Sequence, residues 1–148
     1  MERLTNEEQE RLQRLLAQLS DNEAAVDALR QHISALVASL TELSMTIGAI
    51  KKIKELKPDT EILVPIGSDS FISAKITRSD KVTTGLGANV AAERTADDAI
   101  TLLEGRTAEL EQAVGQAREE LGRLEEGIEA LRPEAEKLLK KGREGSEG

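Results

Sequence analysis

The stretch Gly85-Leu86-Gly87-Ala88-Asn89-Val90 begins like a dinucleotide fingerprint, in which glycines let backbone N–H groups approach a pyrophosphate. Its context rules that chemistry out. The third glycine is missing, the residues that follow are strand-like, and no strand-helix-strand unit surrounds them. His32 is the only histidine and there is no cysteine, so neither a zinc ligand set nor thiol chemistry can be assembled. Hydroxyls and carboxylates are plentiful, but no base or enclosed pocket accompanies them, and the chain is not expected to be an enzyme or to need a cofactor. Two further polar patterns are structural. Thr5-x-x-Glu8 and Thr95-x-x-Asp98 have the form of helix caps, in which a side-chain oxygen accepts from an N–H of the first turn.

Composition narrows the classes further. In 148 residues, 39% are hydrophobic, 32% charged and only 1% aromatic, with Phe71 the sole aromatic side chain. Aromatic rings normally supply much of a compact core or ligand pocket, so this balance points to extended helices. A net charge of −8 argues against nucleic acid, which requires a basic face. No uninterrupted apolar run approaches the ~18 residues of a membrane span, so no membrane partner is expected. The opening residues "MERLTNEEQE" are not a signal peptide, and with the lack of cysteine they predict a cytoplasmic protein.

Two segments carry sustained heptads. The first runs from Leu12 through Leu15, Leu19, Asn22, Val26 and Leu29 to Ile47 and Ile50, with Asn22 its one polar member. The second runs from Ile100 through Leu103, Thr107 and Leu110 to Leu131, Ala135 and Leu138. Both predict coiled-coil helices. In an antiparallel pair, numbers totalling 150 bring Leu12 to Leu138, Val26 to Leu124 and Ile50 to Ile100. Asn22 reads as a register-setting amide and His32 as a solvated flank. Near the chain ends, Gly115, Gly122 and Gly127 weaken the second helix, Pro133 interrupts it, and "KKGREGSEG" reads as disordered. Fraying there would expose Leu4, Leu12, Leu15, Leu16, Leu138 and Leu139.

Between the helices, residues 61–94 predict four short strands. "EILVPI" and "SFISAKIT" flank Gly67-Ser68-Asp69, while "KVTTGL" and "NVAAER" flank Gly87-Ala88. Two small hairpins do not stabilise themselves in water and leave open edges. Assembly with other subunits, closing a shared barrel, would cover them. The side chains expected to carry it are Ile62, Val64, Ile66, Phe71, Ile72, Ile76, Val82, Leu86 and Val90. The reading is therefore α+β: a coiled-coil helix over 1–57, two β-hairpins over 58–95, a second helix over 96–140 and a disordered tail over 141–148.

Helix, two hairpins, helix resembles the alpha-type subunits of the prefoldin family. "EILVPIGSDSFISAKI" is similar to that family's first hairpin, and "GLGANVAAERTADDAITLLEGR" to its second hairpin and the acidic cap after it. The similarity in detail covers about residues 58–106. Val90 and Ala91 stand where a bulkier residue is expected, and Thr83 and Thr84 make the third strand more polar. The resemblance implies an ATP-independent holding chaperone built from two alpha and four beta subunits around a double β-barrel. Its coiled-coil tips would hold unfolded clients and hand them to a group II chaperonin. A structural coiled-coil adaptor without client binding is the alternative.

Overall fold

A computed structural model describes residues 3–147. Its elements in chain order are α1 (Asn6–Lys54), β1 (Glu61–Gly67), β2 (Ser70–Lys75), β3 (Lys81–Gly87), β4 (Val90–Thr95) and α2 (Ala96–Glu147). This is the predicted α+β arrangement, with both hairpins between two long helices. The chain divides into two compact units, one of residues 1–37 with 112–148 and the other of residues 38–111.

Both helices begin where the caps predict. The Thr5 N–H donates to Glu8 Oε1 and the Glu8 N–H to Thr5 Oγ1, each at 3.1 Å, a reciprocal box that satisfies two first-turn donors. The Asp98 N–H donates to Thr95 Oγ1 at 3.1 Å, with Asp97 and Asp98 at the favourable end of the α2 dipole.

In the first unit the heptad residues form the core. Leu15, Leu19, Val26, Ile128 and Ala135 are buried, and Leu12, Leu121, Leu124, Leu131 and Leu138 pack against them. Ion pairs line this seam: Arg11 with Glu134, Glu23 with Arg132, Arg30 with Glu125 and Glu8 with Lys141. Their residue numbers total 145, 155, 155 and 149, scattered on both sides of the expected 150. Asn22 is half-buried, and its Nδ2 lies 3.7 Å from where a Cβ on Gly127 would stand. That is ordinary van der Waals distance, so the half-buried amide would accommodate a Cβ at this position.

The far end of α2 departs from expectation. The helix continues through Pro133 and on to Glu147, across most of the predicted tail; residue 148 lies outside the described residues. Proline removes one helix hydrogen bond, yet Pro133 faces solvent and the residues around it are held from outside the helix. Arg132 and Glu134 pair with α1, and Ala135 is buried. Farther along, Lys141 grips the Glu8 carboxylate at 2.8 and 3.0 Å, and Leu4 lies against Gly142. These contacts order a segment whose composition alone reads as loose.

In the second unit Ile50, Ala96, Ala99 and Leu103 are buried, with Leu43, Ile47, Ile100 and Val82 packed against them. Ala96 continues the heptad one step before Ile100, whereas Ala99 lies outside it; both are buried in the first turn of α2, into which β4 runs directly. Lys54 and Asp97 form an ion pair across the same end. By length and composition α1 is apolar enough to cross a membrane, a property that the count of consecutive apolar residues misses. In the fold, however, Leu43, Ile47 and Ile50 face α2, whose exposed Glu104, Arg106, Glu109 and Glu111 do not suit a hydrocarbon phase.

The hairpins share one backbone solution. Ser68 and Asp69 in one, Ala88 and Asn89 in the other, all have positive φ, which matches a two-residue turn to the strand twist. Each first strand carries a register shift just before the turn, between Pro65 and Gly67 and between Gly85 and Gly87. Gly67 and Gly87 adopt φ of 116° and 89° there, conformations that side chains resist. The ladder of the first hairpin is prolonged past its strands, because Ile76 N–H donates to Thr60 O and Asp59 N–H to Ile76 O.

Candidate functional site

Among the described residues no group of three His, Cys, Asp or Glu could hold a metal ion, and every buried side-chain polar atom has a partner. His32 is exposed. What the described residues offer is apolar surface: scattered along α1 at Val37, Met45 and Ile53, and gathered in two further places.

The first is the free end of the seam in unit one. The structure divides the six leucines expected there. Leu16 and Leu139 are 41% and 38% exposed in the ordered helices, without any fraying. Leu4, Leu12 and Leu138 are half-buried, while Leu15 is 1% exposed and belongs to the core. Leu15 can meet a partner only if the helices part. Burial in the seam holds them together, and exposed ion pairs brace it. The Arg11 guanidinium clasps both Glu134 oxygens at 2.9 and 3.0 Å, which lowers the carboxyl pKa of Glu134 and raises that of Arg11. Hydrogen bonds from Lys141, then from the Thr5 backbone, lower the Glu8 pKa likewise.

The second place is the pair of hairpins. Each is an isolated two-stranded sheet, so each has two open edges. In the first, Ile62 stands opposite Ala74 and Val64 opposite Ile72, which puts these four on one face. Leu63 pairs with Ser73 and Pro65 with Phe71, on the other face. Phe71 therefore does not share a face with Ile72. Both faces are open, with Phe71 56%, Ile72 55% and Leu63 67% exposed. Ile66, at the register shift, is exposed as well, and Ile62 and Ile76 are half-buried.

The second hairpin differs. Val82 joins the helix core, and Thr84, Ala92 and Arg94 on its face are half-buried. Arg94 Nε donates to Thr84 Oγ1 at 3.0 Å, so the polar third strand has a partner for its hydroxyl. Leu86 and Val90 are exposed near the turn. Sequence reading missed Leu63, because it sought one apolar face and assigned the alternate residues of "EILVPI" to it. The missing polar partner face was itself the signal: Leu63 and Pro65 are apolar where an exposed face should be polar.

Comparison with known proteins follows the same outline. The prefoldin subunit family matches residues 22–141. Prefoldin subunit alpha of Methanopyrus kandleri is 35% identical over 113 residues, covering 76% of this chain and 72% of that protein. Prefoldin subunit alpha of Methanosarcina barkeri is 33% identical, covering 88% and 92%. The filamentous PFD from Methanocaldococcus jannaschii superposes with a TM-score of 0.71 at 26% identity, over 80% of this chain and 98% of that one. With two helices, two intervening hairpins and this agreement over most of its length, the chain belongs to the prefoldin family of chaperone subunits, on its alpha side.

Proposed function

We propose that this chain is the alpha-type subunit of a cytoplasmic, ATP-independent holding chaperone, assembling with beta-type subunits as two alpha and four beta. Its hairpins join a shared barrel; its coiled-coil ends hold unfolded polypeptides and deliver them to a group II chaperonin. The observation that carries the holding role is the standing exposure of Leu16 and Leu139 beside the half-buried Leu4, Leu12 and Leu138. Such leucines offer on the order of 25 cal/mol per Å² of apolar area covered, to any sequence that can cover them. No fixed pocket or nucleotide is required, since several weak arms acting together gain avidity and a competitor can displace the client.

A second reading is supported by the likeness to a filamentous relative: an assembly protein that builds a scaffold and holds no client. One assay separates the two. The chain, assembled with a beta-type partner, should suppress aggregation of a chemically denatured client. Replacing Leu16 and Leu139 by Ser should leave the assembly intact and reduce that suppression. A correctly assembled particle that suppresses nothing would leave the scaffold reading.

A further inference from the structure

Beyond Pro133 the second helix has little of its own to hold it. Proline has no N–H, so the helix loses the hydrogen bond to the Glu129 carbonyl and is weakened there. Gly142 and Gly145 lower helix propensity farther along, and no large apolar residue follows Leu139. Yet this segment covers the most deeply buried large side chain among the described residues. Leu15 is 1% exposed, and Ala135 and Leu138 belong to the cluster that closes over it.

The segment is fastened at its far end. Lys141 Nζ donates to both Glu8 oxygens, at 2.8 and 3.0 Å. The two side chains are 35% and 26% exposed, against 48% and 45% in the Arg11–Glu134 pair, so this pair is the more shielded. Glu8 Oε1 also accepts from the Thr5 N–H, so one carboxylate completes the cap of α1 and grips the end of α2. Beside it, Leu4 Cδ1 lies 3.2 Å from where a Cβ on Gly142 would stand, a seat that a larger residue would crowd. A weak point, a cover and a catch therefore follow one another along one segment.

We infer that residues 134–145 of α2 form a lid, hinged at Pro133 and caught at Lys141 and Gly142, that competes with an unfolded polypeptide for the apolar end of α1. The inference rests on the holding role proposed above and adds a gate to it. With the lid shut, Leu16 is open to a client and Leu15 is not. With the lid released, Leu12, Leu15 and Leu16, three and four residues apart, become one stripe on which an apolar segment can lie. A client has to displace the lid to cover Leu15, and its apparent affinity falls with the fraction of open molecules.

The chain has no cysteine, so a reversible lock can be built into it. In Leu4→Cys with Gly142→Cys, the sulfur at position 4 takes the place of Leu4 Cγ, 3.6 Å from the Cβ at 142 and within reach of a disulfide. The double variant, assembled with a beta-type subunit, is titrated with labelled β-casein, an unfolded chain without cysteine. The casein cross-linked to this chain is measured, which separates its ends from those of the beta subunits. The oxidised form should take several-fold less casein than the reduced form, although Leu16 and Leu139 are exposed in both. Equal amounts in the two forms overturn the lid.

Glu8→Gln tests the opposite direction. Glutamine keeps the capping box but gives up the charge that Lys141 grips. Amide exchange over 134–145 should quicken, and this chain should bind casein several-fold more tightly than the wild type. Affinity equal to the wild type or weaker overturns the inference. A wild-type particle in which this chain takes no casein overturns the holding role itself, a different result from either.

Discussion

The two hairpins have the same length, the same left-handed turn and the same register shift one step before it, yet they treat apolar side chains differently. The second packs Val82 against the core formed by Ile50, Ala96, Ala99 and Leu103, and leaves two large apolar side chains in the open, Leu86 and Val90 near its turn. The first holds five large apolar side chains, Leu63, Val64, Ile66, Phe71 and Ile72, in the open. Backbone geometry alone thus does not decide what a hairpin is for. The second packs against the helices of its own chain; the first leaves both of its faces open.

That contrast can be broken most severely from the inner face of the first hairpin. Placing aspartate at both Val64 and Ile72 would force charge into the interior of the proposed barrel, and assembly with a beta-type subunit should be lost altogether. Sedimentation should show separate subunits while circular dichroism still reports the helices. The corresponding change on the open face of the second hairpin, Thr83→Asp, should leave the particle intact. A particle that tolerates aspartate at both Val64 and Ile72 would mean that this face is not the barrel lining.

The core beneath the second hairpin gives the next largest effect. Ile50→Ala removes most of a buried side chain from a cluster with little to collapse into the space, and should cost about 2–5 kcal/mol. Chemical denaturation of the isolated chain measures it. The same truncation at Ile72, which is 55% exposed in the single chain, should hardly change that chain's stability. Equal losses at the two sites would erase the distinction between a core residue and an interface residue. Turn conformation comes after this. Gly67→Val and Gly87→Val both place a β-branched side chain at positive φ, and each should destabilise its hairpin by about 1–2 kcal/mol. Open space surrounds both glycines, so the cost is conformational rather than steric crowding by neighbours.

How much of this was legible in the sequence depends on how local the cause is. Heptads, caps and turn positions are written in spacings of two to four residues, and Leu19, Val26, Thr5 and Gly87 could be read directly. Burial of Ala99 could not, because it follows from β4 turning straight into α2 against a partner helix. The order of the last α2 turns could not either. Composition around Pro133 and Gly142 argues for looseness, but Arg11, Glu23, Glu8 and Leu4, more than a hundred residues away in sequence, hold those turns in place. Leu63 is a third kind of case. Its neighbours showed it, but only to a reading prepared for a strand with two apolar faces.

The smallest effect belongs to the ion pairs that brace the end of the coiled coil, and it has a definite sign. Glu8 and Glu134 have pKa values lowered below the ordinary 4.5, chiefly by hydrogen bonds from Lys141 and Arg11. A carboxyl whose folded pKa is depressed adds stability that is fully present above the unfolded value and is lost as pH falls through the folded one. Melting of the coiled coil should therefore be flat from neutral pH down to about 5 and then fall with further acid. Both pairs are exposed, so salt should weaken them and the drop should be modest. Arg11→Ala frees the Glu134 carboxyl to titrate as it does in the unfolded chain, which should make the acid limb shallower while leaving the Glu8 contribution. In the same variant the half-buried leucines lose a brace, so binding of an apolar dye to the isolated chain should rise. A hairpin substitution such as Gly67→Val should not produce that rise; if it does, the coiled-coil end and the hairpins are not independent in the way their separate packing implies.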